Sequence, residues 1–123
     1  MFNIGEGFIE KQIKLLVKAL TGFVYSKTLS SNIINQSGEI TEENFLAYRL
    51  NKLISEGNIN KAEDLLFAEI ENYRSDANFK IALQFYEKLN EMDESTLNKH
   101  DFSKQEIMDG LNEIKTIYED LDK

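Results

Sequence analysis

Not one of the 123 residues is proline, and only six are glycine. Proline ends a helix outright, because it lacks an amide proton and its ring clashes with the preceding turn. A chain without it, and with few glycines to lower helix propensity, has few obligatory breaks and favours long helices. The apolar pattern agrees. Large side chains recur at spacings of three and four along five segments, and no strand-like alternation of useful length occurs. The expected fold is all-α: about five helices, forming antiparallel helical hairpins packed with an N-terminal amphipathic helix.

That first helix, 6–26, reads EGFIEKQIKLLVKALTGFVYS and places apolar side chains at 8, 9, 13, 16, 17, 20, 23 and 24. At about 100° per residue they cover an arc of roughly 220°, leaving a narrow strip of Glu10, Lys11, Lys14, Lys18 and Thr21. So wide an arc asks for several helical neighbours, a second subunit or a lipid surface. Phe8, Ile9, Ile13, Leu16, Leu20 and Phe23 are the candidate interaction face. The alternative is that this helix is the central one of the domain, buried on both flanks by its own body.

Residues 27–40, KTLSSNIINQSGEI, are rich in Ser and Asn and read as a linker, with Ile33, Ile34 and Ile40 available to pin it down. The helical-hairpin body, 41–123, follows, and the whole makes a single domain. Thr41 can cap the second helix, and Glu42 and Glu43 suit the positive end of its dipole. Its apolar face is Leu46, Leu50, Leu53 and Ile54, with Phe45 at the edge and Arg49 snorkelling beside it. Gly57 should stop it. The third helix, about 59–73, presents Ala62, Leu65, Leu66, Ile70 and Tyr73; the fourth, about 77–91, presents Phe79, Ala82, Phe85, Tyr86 and Leu89. After a break with one short turn beyond Asp93, Ser103 and Glu106 form a capping box and Phe102 and Ile107 a hydrophobic staple. The last helix then carries Ile107, Leu111, Ile114, Tyr118 and Leu121.

The piece KLISEGNINKAEDLLFAEIE, 52–71, resembles the corner of a tetratricopeptide repeat, with Gly57 at the bend, then Ile59, Ala62 and Leu66 at the repeat's positions. It covers about half of one unit. Leu50 and Glu69 stand where small residues are usual, the closing proline is missing, and two hairpins fall short of a solenoid. Four further pieces, IEKQIKLLVKAL, ISEGNINKAEDLLF, IALQFYEKLNEM and HDFSKQEIMDGL, resemble a family of uncharacterised small helical proteins from low-GC Gram-positive bacteria. That resemblance implies a shared fold and supplies no activity, ligand or site.

Reactive chemistry has few candidates. There is no cysteine, which removes thiol nucleophiles, thiolate metal sites and disulfides and fits a reducing cytoplasm. The one histidine, His100, lies beside Asp101 in a loop and reads as a surface or capping group. A di-iron bundle needs two Glu-x-x-His motifs, so a single histidine excludes it. The run from Asp93 to Lys104 has the length of a calcium loop, but Leu97 sits at its fifth position and Lys104 replaces the bidentate glutamate. Glu87 and Glu91 are one turn apart and read as a solvated pair. Tyr48, Tyr73, Tyr86 and Tyr118 read as core-edge residues with wet hydroxyls. No catalytic residue, cofactor site or metal site is expected, and an active site would need carboxylates converging near Glu63, Glu69 or His100.

The formal net charge is −8, unevenly spread. Residues 1–27 set four lysines against Glu6 and Glu10, while the remainder sets ten basic residues against twenty acidic ones. An acidic body repels phosphate backbones, so nucleic acid is not an expected partner. The start of the chain is a poor export signal, because Glu6 precedes the apolar stretch and lysines interrupt it. A cytoplasmic, non-catalytic protein–protein interaction or self-association domain, with a homodimer as the specific expectation, is the leading functional reading. Peripheral membrane attachment through the first helix is the alternative, disfavoured by Glu10 and by the acidic body.

Overall fold

Helix positions follow from local signals in most of the chain. The computed structural model describes the backbone of residues 4–31 and 42–121 and the side chains of 7–23 and 45–119. Within them lie six helices: α1 (Ile4–Ser31), α2 (Glu42–Ser55), α3 (Ile59–Asn72), α4 (Asp76–Asn90), a short α5 (Glu94–Lys99) and α6 (Lys104–Leu121). No strand occurs among the described residues, and the fold is all-α. α1 runs five residues into the segment expected to be linker. Lys27–Ser31 has modest helix propensity but no breaker, so an established helix continues through it. The Thr41 cap and the packing of Ile33, Ile34 and Ile40 lie outside the described residues.

The corner between α2 and α3 has a specific cause. Gly57 takes φ +83°, its N–H donates to Ile54 O at 2.9 Å, and Asn58 N–H donates to Leu53 O at 2.8 Å. This pair of bonds is a Schellman stop, which satisfies the last carbonyls of α2. A second one ends α5: Asp101 adopts φ 60°, its N–H donates to Asn98 O, and Phe102 N–H donates to Leu97 O. The two corners dock on each other. Asn60 Nδ2 donates to Asp101 O at 3.0 Å, and the His100 imidazole lies where a Gly57 side chain would be, 2.7 Å from the position of a Cβ. His100 is thus a packing residue over the α2–α3 bend.

Gly57→Ala therefore meets two obstacles, a left-handed backbone and an occupied space. We expect a loss of about 1–3 kcal/mol of unfolding free energy, read by urea titration. Adding His100→Ala should recover the steric part and leave the backbone part; no difference between G57A and wild type would contradict the geometry.

The start of α6 falls where the sequence indicates, with the Glu106 carboxylate closing onto the Ser103 hydroxyl in place of the Ser103 N–H that a full capping box would use. The Ser103 hydroxyl accepts from Glu106 N–H at 3.2 Å and donates to the Glu106 carboxylate at 3.2 Å, while Phe102 and Ile107 are both buried. Ser75 caps α4 by accepting from Asn78 N–H.

α4, not α1, is the central helix. α1 and α6 pack on one side of it and on each other, and α2 and α3 pack on the other. This position explains why α4 buries Asn78, Phe79, Ile81, Ala82, Leu83, Phe85, Tyr86, Leu89 and Asn90. Those residues occupy most of its circumference, where periodicity alone marked one face. Phe79 stacks on Tyr118 of α6 with ring centroids 4.2 Å apart and meets Phe23 of α1 at 6.1 Å. α2 contributes Leu46, Leu50 and Ile54, and α3 contributes Ile59, Ala62, Leu66 and Ile70.

Where α1, α4 and α6 meet, a polar network is buried with them. Lys104 at the first position of α6 is 1% exposed. Its Nζ donates to Asn90 O at 2.5 Å and Asn90 Oδ1 at 3.3 Å, and pairs with Glu10 Oε2 at 3.2 Å. Asn90 Nδ2 donates in turn to Glu10 O. A cation at a helix N-terminus opposes its own dipole, but this ammonium reaches the last carbonyl of α4, where the dipole favours it.

Candidate functional site

α1 is amphipathic in three parts rather than two. Ile13, Val17 and Leu20 are buried, and Ile9, Leu16 and Phe23 are partly buried against the core. Of the expected interaction face, these positions place Ile13 and Leu20 inside the domain and Ile9, Leu16 and Phe23 at its margin. Phe8 alone stands outside, 61% exposed. It is joined there by Leu15, 68% exposed and absent from the expected face. With Gln12, Ala19 and Gly22, all exposed, they make a ridge at 8, 12, 15, 19 and 22. Spacings of four and three are those of a helix-pairing seam, and the small residues at 19 and 22 permit close approach. Nothing lies within 4 Å of where a Gly22 side chain would stand.

The charge on this helix is one-sided. Lys11, Lys14 and Lys18 are exposed, whereas the Glu10 carboxylate is turned to Lys104. The outer face of α1 between residues 7 and 23 thus presents three exposed lysines, while its one carboxylate, the partly exposed Glu10, is paired with Lys104. On α2, Phe45 and Tyr48 are also exposed, and the Arg49 guanidinium lies 5.7 Å over the Phe45 ring, a cation–π contact that partly covers Phe45.

A second feature is a groove of about 290 Å³ between α3 and α6, lined by Glu63, Asp64, Phe67, Glu106, Asp109, Gly110 and Glu113. Gly110 on its wall marks where α6 meets α4 closely, the absent side chain leaving room for the fully buried Tyr86. The Tyr86 hydroxyl donates to Glu63 Oε2 at 2.6 Å. It is not a wet hydroxyl, and neither is that of Tyr118, which donates to Ser75 O at 2.9 Å; Tyr48 and Tyr73 are exposed. Burial first, then the Glu63 charge, pushes Tyr86 far above the usual phenol range, so it remains a donor. The sequence hint of this groove was Gly110 itself, a glycine inside a strong helix, with Glu106, Asp109 and Glu113 at spacings of three and four around it.

Glu63 is raised above its ordinary 4.5, chiefly by burial and further by Glu106, Asp64 and Glu113, against the lowering effect of the Tyr86 hydrogen bond. A carboxyl raised on folding contributes stability that is fully present below its unfolded value. That contribution is lost as pH rises through the folded value. Wild type should therefore lose ground to Glu63→Gln as the pH climbs from about 4.5 to 7, in paired urea titrations. Parallel stability profiles for the two proteins would contradict the assignment.

The groove gathers carboxylates but no histidine, because His100 sits over Gly57. Among the described residues, no group of three or more Asp, Glu or His side chains is placed to hold a metal ion, and no helix is long and apolar enough to cross a membrane. No curated protein and no solved structure matches the chain. The profile described as Family of unknown function (DUF6483) matches residues 3–119. Nearly the whole chain, from α1 through α6, thus belongs to the DUF6483 family.

Proposed function

We propose that this is a non-catalytic helical interaction domain that associates with a second copy of itself through the outer ridge of α1. The observation carrying this reading is the exposure of Phe8 and Leu15, seven residues apart on a helix whose opposite face is closed by α4 and α6. Two large apolar side chains in register with Ala19 and Gly22 suit the flank of another helix. The α2–α3 hairpin, with its tetratricopeptide-like corner, and the α4–α6 packing serve as the rigid body that holds α1 in place.

Light scattering across roughly 5–200 µM should show reversible growth beyond the monomer, a range set by the weak end of specific association. Phe8→Ser with Leu15→Lys should abolish it while leaving helicity unchanged and the unfolding free energy of the monomer within about 0.5 kcal/mol of wild type, since both sites are exposed. A wild-type protein that stays monomeric throughout would remove the reading.

The exposed lysines favour one other occupant, an anionic lipid surface, with Phe8 and Leu15 as the inserted side chains. Co-sedimentation of the intact protein with phosphatidylserine vesicles distinguishes it. Pelleting that the same double substitution removes, from a protein that does not self-associate, would select the membrane reading.

A further inference from the structure

We infer that the self-association is head-to-tail: the α1 ridge of one copy seats along the α3–α6 groove of the next. This rests on the reading of the α1 ridge as a self-association surface and adds the surface that receives it. A symmetric pairing of two α1 ridges would bring together Lys11, Lys14 and Lys18 from each copy, with Glu10, the one carboxylate of residues 7–23, already paired with Lys104. Like charges placed opposite each other suppress a contact. The complementary surface exists on the same chain. The groove has acidic walls on both sides, Glu63 and Asp64 from α3 and Glu106, Asp109 and Glu113 from α6, with Phe67 and the bare Gly110 backbone between them.

The fit is of kind as well as of charge. An amphipathic helix lying in a groove between two helices is a recurrent mode of recognition, with apolar side chains inward and charges at the rim. Phe8 and Leu15 supply the apolar side chains, and the lysines along their flank supply the rim. Because α1 turns its ridge away from α4 and α6, a chain cannot fill its own groove in this arrangement, and the contact is between molecules. Different surfaces on the two partners make a heterologous interface, which grows into rings or open chains rather than stopping at a two-fold dimer.

Complementation by mixing tests the arrangement. One protein carries Phe8→Ser and Leu15→Lys, losing the ridge; the other carries Asp64→Lys and Asp109→Lys, two exposed groove positions, losing the groove. Sedimentation velocity should find each alone monomeric, its self-association weakened by at least about tenfold. An equimolar mixture should form a 1:1 dimer that grows no further, because one intact ridge meets one intact groove. Wild-type association should also weaken between about 0.05 and 0.5 M NaCl, as rim charges are screened. Circular dichroism of both variants confirms that they are folded before mixing. A groove variant that associates as wild type does, or a mixture of folded variants that remains monomeric, overturns the head-to-tail arrangement while leaving self-association through α1 standing. A wild type that does not associate overturns both.

Discussion

Replacing Lys104 with alanine is expected to lower the unfolding free energy by about 2–4 kcal/mol, a large share of what holds a domain of this size together. The loss does not come mainly from the ion pair. Glu10 is 37% exposed, so solvent screens its attraction to the ammonium, and an exposed pair contributes little. It comes from Asn90, whose carbonyl and side-chain oxygens both accept from the buried Nζ. Without the lysine they are buried acceptors lacking a partner, and the space of its stem is empty. Two controls separate these effects. Lys104→Met keeps the stem and should recover part of the loss, whereas Glu10→Gln should cost less than about 1 kcal/mol. Urea unfolding followed by circular dichroism reads all three. An alanine variant within about 1 kcal/mol of wild type would show that this junction contributes little to stability, and a Glu10→Gln loss as large as that of Lys104→Ala would show that the ion pair, rather than the Asn90 acceptors, carries the effect.

Gly110→Ala should also destabilise, by about 2 kcal/mol or more, although alanine ordinarily improves a helix by about 1 kcal/mol. The added Cβ would overlap the Tyr86 hydroxyl oxygen and come within 2.5 Å of Cζ and 2.8 Å of Cε1. The ring has nowhere to retreat. It is fully buried, meets Phe85 edge-on at 4.9 Å, and is held at its tip by Glu63. Adding Tyr86→Phe removes only the nearest atom and should restore only part of the stability. A Gly110→Ala variant more stable than wild type would mean that helix propensity outweighs the crossing, and that α6 and α4 do not meet as closely as described.

These two positions also mark where the sequence stops being legible. Signals that act within a few residues were readable. The Gly57 stop and the Ser103 cap depend on neighbours in the chain and occur where spacing indicates, and Phe102 and Ile107, the expected staple pair, are both buried. Lys104 was not readable, because its partners Glu10 and Asn90 lie on other helices and a lysine after a cap looks like a solvated surface residue. α4 was half readable. Phe79, Ala82, Phe85, Tyr86 and Leu89 follow one stripe, but Ile81 and Leu83 are buried only because helices cover both of its sides.

α1 shows the same limit from the other direction. Its arc of apolar residues is too wide for one neighbour, yet width does not say which part stays outside. Two covering helices take Ile13, Val17 and Leu20, and this leaves Phe8 and Leu15 in water. Leu15 became part of the candidate surface only once those neighbours were in place. The acidic groove is scattered over two helices in the sequence, Glu63 to Phe67 and Glu106 to Glu113, and only the tertiary packing brings the two segments together.

The most direct measurement is sedimentation velocity on the wild-type chain and on Leu15→Lys alone, over about 5–200 µM. The expected result is a wild-type protein that grows reversibly with concentration beside an equally helical variant that remains a monomer. A wild-type monomer at every concentration, or a variant that associates as readily as wild type, would contradict the assignment of α1's outer ridge as the surface through which this domain works.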